Sequence, residues 1–308
     1  MSMRVLSLLT IVLVLLSARD ARAQLNVMTT TTDLADLVRT IGGEFVTVDA
    51  FCKANQDPHY VQTRPSLIVK LRKADLAVAV GLDLEAGWLP LVIRGARNPK
   101  IRPGTPGHLD LSQWIEPLAI PANANASQGH LHPRGNPHYW LDPVRMAALV
   151  PHIADRLSTL DPAHTASFKG NAQAFTQKLS TKIQSWDAKM DPYRGTEVLG
   201  YHDTFTYFHA CYDLKAVGTL ENKPGIPPSP RHLSQVIAKA KQRGVPVIFH
   251  EAFHDKKPSG LVADRSGAIL LVLPVSVGAV PGADNYIALI DNIVDQFIAA
   301  MAEHRRDD

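Results

Sequence analysis

Two parallel-sheet α/β lobes joined by one long rigid helix are predicted from three features of the sequence. β-Branched apolar runs alternate with segments of helical period along most of the chain. The alternation breaks once, near the middle, for a single long amphipathic segment. The length left after an N-terminal leader also suits two average domains better than one.

The leader is residues 1–23, MSMRVLSLLTIVLVLLSARDARA: a basic start, an apolar run from Val5 to Leu16 and a small-residue ending. Ala21-Arg22-Ala23 fits the A-x-A cleavage pattern and predicts an exported mature chain beginning near Gln24. The apolar run is shorter than the roughly 20 residues that span a bilayer. A net charge of +3, with no basic stripe interleaved with aromatics, argues against nucleic acid as a partner. Cys52 and Cys211, far apart and in different lobes, are not expected to pair.

In the first lobe, residues 24–160, LNVMTT reads as a strand, and Thr32-Asp33-Leu34 opens a helix that stops at Gly42-Gly43. FVTVDAF is the next strand. A helix starts at Pro65 with Ile68 and Leu71 on one face, DLAVAVG is a buried strand, and a further helix is predicted from Glu85 toward Arg94. Residues 98–135, rich in Pro, Gly, Asn and His, read as loops around one short strand. Asp142-Pro143 supplies an N-cap and a first-turn proline for a helix striped by Met146, Leu149, Val150, Ile153 and Leu157.

Asp161-Pro162 begins the long segment, residues 161–190. Phe168, Ala172, Phe175, Leu179, Ile183, Trp186 and Met190 recur at spacings of three or four. They keep one apolar face over roughly 40 Å of helix. Its central position predicts a connector packed along both lobes. In the second lobe, residues 191–308, EVLGYH, LKAVGTL, VPVIFHE and AILLVLPV are strands. Ser229-Pro230 begins a helix ended by Gly244, and the last helix covers about 284–302.

Three histidines fall where strands give way to helices, the place where parallel α/β sheets gather ligands. They are His59 in Asp57-Pro58-His59-Tyr60, His138 in Asn136-Pro137-His138-Tyr139, and His202 in Gly200-Tyr201-His202-Asp203. Imidazole is the common nitrogen ligand of zinc and its neighbours, and three such groups with one oxygen make a tetrahedral site.

The order and spacing of several stretches resemble the metal-binding proteins of bacterial ABC importers for zinc and manganese, the cluster A-I, ZnuA/TroA-like family. The carriers are TTTDLADLVRTIGGEFVTVDAF, DPHYVQTRPS, ADLAVAVGLDLEAGWL, NPHYWLDP, LDPAHTASFKGNAQAF and GYHDTFTYF, which together reach across nearly the whole mature chain. The resemblance implies two lobes, a linking helix and one metal ion in the cleft, with His59, His138 and His202 as its nitrogen ligands. It implies a periplasmic monomer serving a membrane permease, with a metallochaperone as a further partner. Where the family carries an aspartate after the last strand, this chain has Pro274, and Pro58 excludes an acidic residue directly before the first histidine. The fourth position is therefore open between Glu251, which in relatives looks more like support behind the ligands, and water. Without a firm carboxylate zinc is the expected cargo, manganese and iron remain open, and an iron-chelate system is the second reading.

His250-Glu251-Ala252-Phe253-His254 is a literal H-E-x-x-H, the zinc motif of metallohydrolases. That chemistry needs both histidines on one helical face, whereas VPVIF reads as a strand and Pro258 is expected to leave almost no helix behind His254. The match is read as chance, no catalytic group is assigned, and His254 is placed outside the cleft. The loop carrying His130 and His132 reads equally as an ordinary surface loop or as a gatherer of metal. His209 is expected to pack beside Phe205 and Phe208.

Overall fold

The computed structural model describes residues 24–121, 132–222 and 225–307; the predicted leader and His130 lie outside them. The first lobe holds β1 (Leu25–Thr29), α1 (Thr32–Gly42), β2 (Val46–Ala50), α2 (Pro65–Lys73), β3 (Leu76–Ala79), α3 (Leu89–Ala96), β4 (His108–Asp110) and α4 (Pro143–Leu160). A short 3₁₀ turn leads into the long helix α5 (Thr165–Met190). The second lobe holds β5 (Glu197–Gly200), α6 (Thr206–Cys211), β6 (Lys215–Thr219), α7 (Pro230–Arg243), β7 (Val247–Glu251), α8 (Lys257–Ser266), β8 (Ile269–Leu273) and α9 (Tyr286–Asp307).

Each lobe is built on a four-stranded, wholly parallel sheet, ordered β2-β1-β3-β4 in the first and β6-β5-β7-β8 in the second. Both orders reverse at their second strand, and that reversal leaves a crevice beyond the carboxyl ends. The strands are short, and the inner ones are buried on both faces: all four residues of β3 and all five of β7 are buried, whereas the edge strand β6 is not.

Helix α5 buries the predicted stripe, Phe168, Ala172, Phe175, Leu179, Trp186 and Met190, with Ile183 packed at its margin. Its N-terminal half bonds the first lobe, where Asn171 Nδ2 donates to Ile41 O at 3.0 Å. Its C-terminal half bonds the second, where Trp186 Nε1 and Lys182 Nζ both donate to the Asp291 carboxylate. One buried apolar cluster consequently runs from Val27 and Leu34 of the first lobe through α5 to Phe249 and Phe297 of the second.

Two expectations fail for local reasons. The helix predicted from Glu85 begins four residues later, at Leu89. Gly81, Leu82 and Asp83 all have positive φ, and the Glu85 carboxylate accepts from the Val80 and Gly81 N–H groups at 2.8 and 3.0 Å, so this stretch is a tight turn. Pro258 does not suppress a helix but opens one, α8, in the first turn where a missing N–H costs nothing. Cys52 and Cys211 are both free, as expected. Among the described residues no helix is long and apolar enough to cross a membrane.

The lobes are also tied directly. Asp33, fully buried in the first turn of α1, accepts from Val277 N at 2.9 Å, while Asp36 accepts from Tyr286 N at 2.8 Å. Burial pushes the Asp33 carboxyl up to about 7 from an ordinary value of 3.8. A proton is therefore held in the folded state and lost in the unfolded one between these values. Stability should fall as pH rises from about 4 to about 7 and stay lowered above. Asp33→Asn keeps the acceptor and removes the ionisation. The variant should be more stable than the parent at pH 8, with the gap closing below pH 5, when unfolding midpoints in denaturant are compared. Trp186→Ala removes a fully buried ring and the partner of Asp291, and should lower unfolding stability by about 3–5 kcal/mol in the same measurement.

Candidate metal centre

His59, His138 and His202 come together at the facing carboxyl ends of the two sheets. One ring nitrogen from each lies within 4.8 Å of the others, and their ring centroids are 5.2, 5.4 and 5.8 Å apart. Among the described residues this is the group of His, Cys, Asp and Glu side chains that could hold a metal.

Each ring is held from behind by an acceptor at Nδ1. In Asp57-Pro58-His59, Asp57 Oδ1 accepts from His59 N at 2.9 Å and from His59 Nδ1 at 2.7 Å. In Asn136-Pro137-His138, Asn136 Oδ1 accepts from His138 N and from His138 Nδ1, both at 2.9 Å. The same three-residue device, acceptor-proline-histidine, thus aims two rings; the proline fixes the backbone between acceptor and ring. His202 Nδ1 donates instead to Glu221 Oε2 at 2.9 Å, from a segment just past the neighbouring strand β6. Carboxylate and amide oxygens only accept, so the proton of each neutral ring lies on Nδ1 and Nε2 keeps a bare lone pair.

The electrostatics suit a cation. Burial, then the charges of His59 and His202, hold His138 well below the usual histidine range, so it stays neutral and basic. Burial alone would lower His202, but the Asp203 and Glu221 carboxylates outweigh it and raise this histidine well above its ordinary value. His202 Nε2 and Asp203 Oδ1 form an ion pair at 2.8 Å, so a metal on this ring would displace the proton the pair shares. The cavity enclosed at the three rings, walled also by Trp140 and Val275, has a volume of about 20 Å³, room for one ion or water.

Glu251 is fully buried, lies outside the three-histidine group, and leaves both carboxylate oxygens unpartnered. Burial raises it to about 7, with His202 pulling the other way. Pro274 follows directly on β8, and its neighbour Val275 walls the cavity while its carbonyl accepts from Trp140 Nε1 at 2.8 Å. His254 lines the cleft with its ring 4.6 Å from Tyr201, which corrects the expectation that it lies outside. Helix α8 folds back behind the β7 end and turns the intervening loop inward. The H-E-x-x-H residues start on a strand: His250 Nδ1 is taken by Ser259 Oγ at 2.8 Å and Nε2 faces His254 O at 3.3 Å, which leaves no paired ligands. His132 is buried against the site, its Nε2 only 3.0 Å from His59 Nε2. His209 packs on Phe205 and Phe208, as expected.

The sequence reading missed Asp57, Asn136 and Glu221. The repeated acceptor-Pro-His was the available signal for the first two. Glu221 comes from a distant segment and carries no local mark.

Comparison with known proteins agrees with this architecture. The chain is 28% identical to the iron-binding protein YfeA of Yersinia pestis, over 90% of this chain and 86% of that one. It is 24% identical to the manganese ABC transporter substrate-binding lipoprotein PsaA of Streptococcus pneumoniae, over 81% and 79%. It is 30% identical to the high-affinity zinc uptake system protein ZnuA of Brucella abortus, over 51% and 48%. A crystal structure of ZnuA superposes with a TM-score of 0.76 at 24% identity, covering 90% of this chain and 99% of that one. The model of the family described as ZnuA, zinc-uptake complex component A, periplasmic, matches residues 27–300, and the chain belongs to that family.

Proposed function

We propose that this protein captures zinc in its cleft with His59, His138 and His202 as ligands and hands it to the permease of an ABC importer. Family membership makes the chain an extracytoplasmic metal-binding protein that works with such a permease, and not an enzyme. Zinc as the cargo, and cleavage after Ala23, are the finer readings. The observation that carries zinc is the meeting of three imidazoles, each oriented by an acceptor on Nδ1, with Pro274 and Val275 where an oxygen ligand would be expected. Nitrogen-rich sites favour zinc over the harder manganese ion. The space at the three rings themselves, about 20 Å³, holds one bare ion. Bare iron is the second reading, because YfeA, a relative along nearly the whole chain, is named for iron.

Metal analysis of the protein taken from its native compartment, followed by competition among zinc, manganese and ferrous iron, should give one divalent ion per chain and a preference for zinc. Tight manganese binding with negligible zinc binding would overturn this reading. Changing His59, His138 or His202 singly to alanine should weaken zinc binding tenfold or more, about 1.4 kcal/mol at the least. Glu251→Ala and His254→Ala should weaken it less, since Glu251 stands behind the rings and His254 packs on Tyr201. Calorimetry of the five variants separates these outcomes.

A further inference from the structure

We propose that His132 is the fourth ligand of the cleft ion, which makes the site four imidazoles rather than three with an oxygen; the inference rests on the cleft being the metal site. Its ground is a chain of hydrogen-bond logic. Asp57 holds the proton of His59 on Nδ1, so His59 Nε2 is an acceptor. His132 Nε2 lies 3.0 Å from it and must therefore be the donor. That assignment leaves His132 Nδ1 bare, and this atom is buried with no partner. The residue as a whole is only 8% exposed. A buried imidazole with an orphaned nitrogen, bonded to the lone pair that would bind metal, is costly unless an ion relieves it.

The position of His132 is built into the fold. Gly135 N donates to His132 O at 3.0 Å and Asn136 N donates to Leu118 O at 2.8 Å, which closes a tight turn that runs straight into Asn136-Pro137-His138. Gly135 adopts φ 111°, and a Cβ there would lie 2.6 Å from Pro117 Cβ, so only glycine serves. Arg134 pairs with Asp83 at 3.2 Å and ties the turn to the strained Gly81-Leu82-Asp83 stretch. The turn that delivers His138 thus delivers His132 as well. His132 also walls an open cavity of about 820 Å³ beside His59, on the solvent side of the site. An ion entering there displaces the His132–His59 hydrogen bond. His132 stands outside the three residues whose nitrogens meet, so its ring turns to bring the bare Nδ1 to the ion; His132 then gives up no proton, His202 releases its Nε2 proton to solvent, and the ion sheds a water. Glu251, buried with both oxygens unpartnered, and Asp203 are the competing donors; Glu251 lies outside the three-histidine group, and Asp203 Oδ1 stays against His202.

Cobalt(II) and zinc alone are the probes, on the full mature chain. X-ray absorption of the zinc-loaded protein should count four imidazoles, and cobalt should give intense tetrahedral d–d bands. His132→Ala should drop the count to three and weaken zinc tenfold or more, whereas Asp203→Asn should leave the count and stay within threefold. A count of three imidazoles in the parent, or a His132→Ala variant with unchanged cobalt bands, overturns the proposal. So does loss of zinc on Asp203→Asn alone. If His59→Ala abolishes binding while His132→Ala does not, only this inference falls. If the parent binds neither ion, the cleft reading falls with it.

Discussion

The apolar stripe on helix α5 is the constraint on which the rest of this molecule depends. Phe168 to Met190 belong to one buried cluster with residues of both sheets, so the lobes share a core instead of meeting at a wet interface. Moving them apart would expose that core, and interiors packed at crystal-like density do not deform gradually. Smaller ties act in the same direction: Asp33 to Val277, Trp140 to Val275, and the Tyr286 hydroxyl to Trp140 O at 2.7 Å. A ligand site made of side chains from both lobes can therefore have a set geometry before any ion arrives. Its ordering entropy is met during folding rather than during binding.

That frame sets where the rings are; the Nδ1 acceptors set what they present. Two of the three acceptors are carboxylates and one is an amide. Negative charge therefore stands one bond behind the imidazoles, where it raises ligand basicity without occupying the ion's coordination sphere. Asp203 adds a further carboxylate, held well below the usual range by His202 although burial opposes it. This outer ring of carboxylate charge favours a cation at the three rings.

Most of the fold was legible because its signals were local. Strand and helix periods, Asp-Pro openings and Gly closures each act within a few residues, and the stripe on α5 needed only the spacing of seven apolar side chains. What escaped was conditional on contacts far along the chain. Glu85 looks like the start of a helix until its carboxylate is seen capping Val80 and Gly81 N–H. Pro258 looks like a stop because the sequence alone does not say on which side of it the helix lies. His254 was placed outside the cleft, although its loop, between β7 and α8, lines it. The three ring positions were readable from strand ends and from the family resemblance. Asp57 and Asn136 stood two residues before two of those rings as an unread repeat. His132 was weighed only as part of a loop, since nothing local distinguishes a histidine that reaches back to His59.

If the cleft holds the ion as proposed, Pro274 in place of the aspartate that the family resemblance leads one to expect takes on a physical sense. The chain after β8 is already committed, because Val275 O accepts from Trp140 and Val277 N donates to Asp33. Pro274 stiffens the entry to that segment and cannot offer an oxygen. A carboxylate there would add a hard donor to the ion's coordination sphere and a further charge to a nearly closed cavity. On the proposed ligand set, its absence would leave nitrogen as the donor atom brought to the ion and carboxylate as the charge behind it. The fold thus separates two tasks that an aspartate ligand would combine, attraction of the cation and choice of the cation.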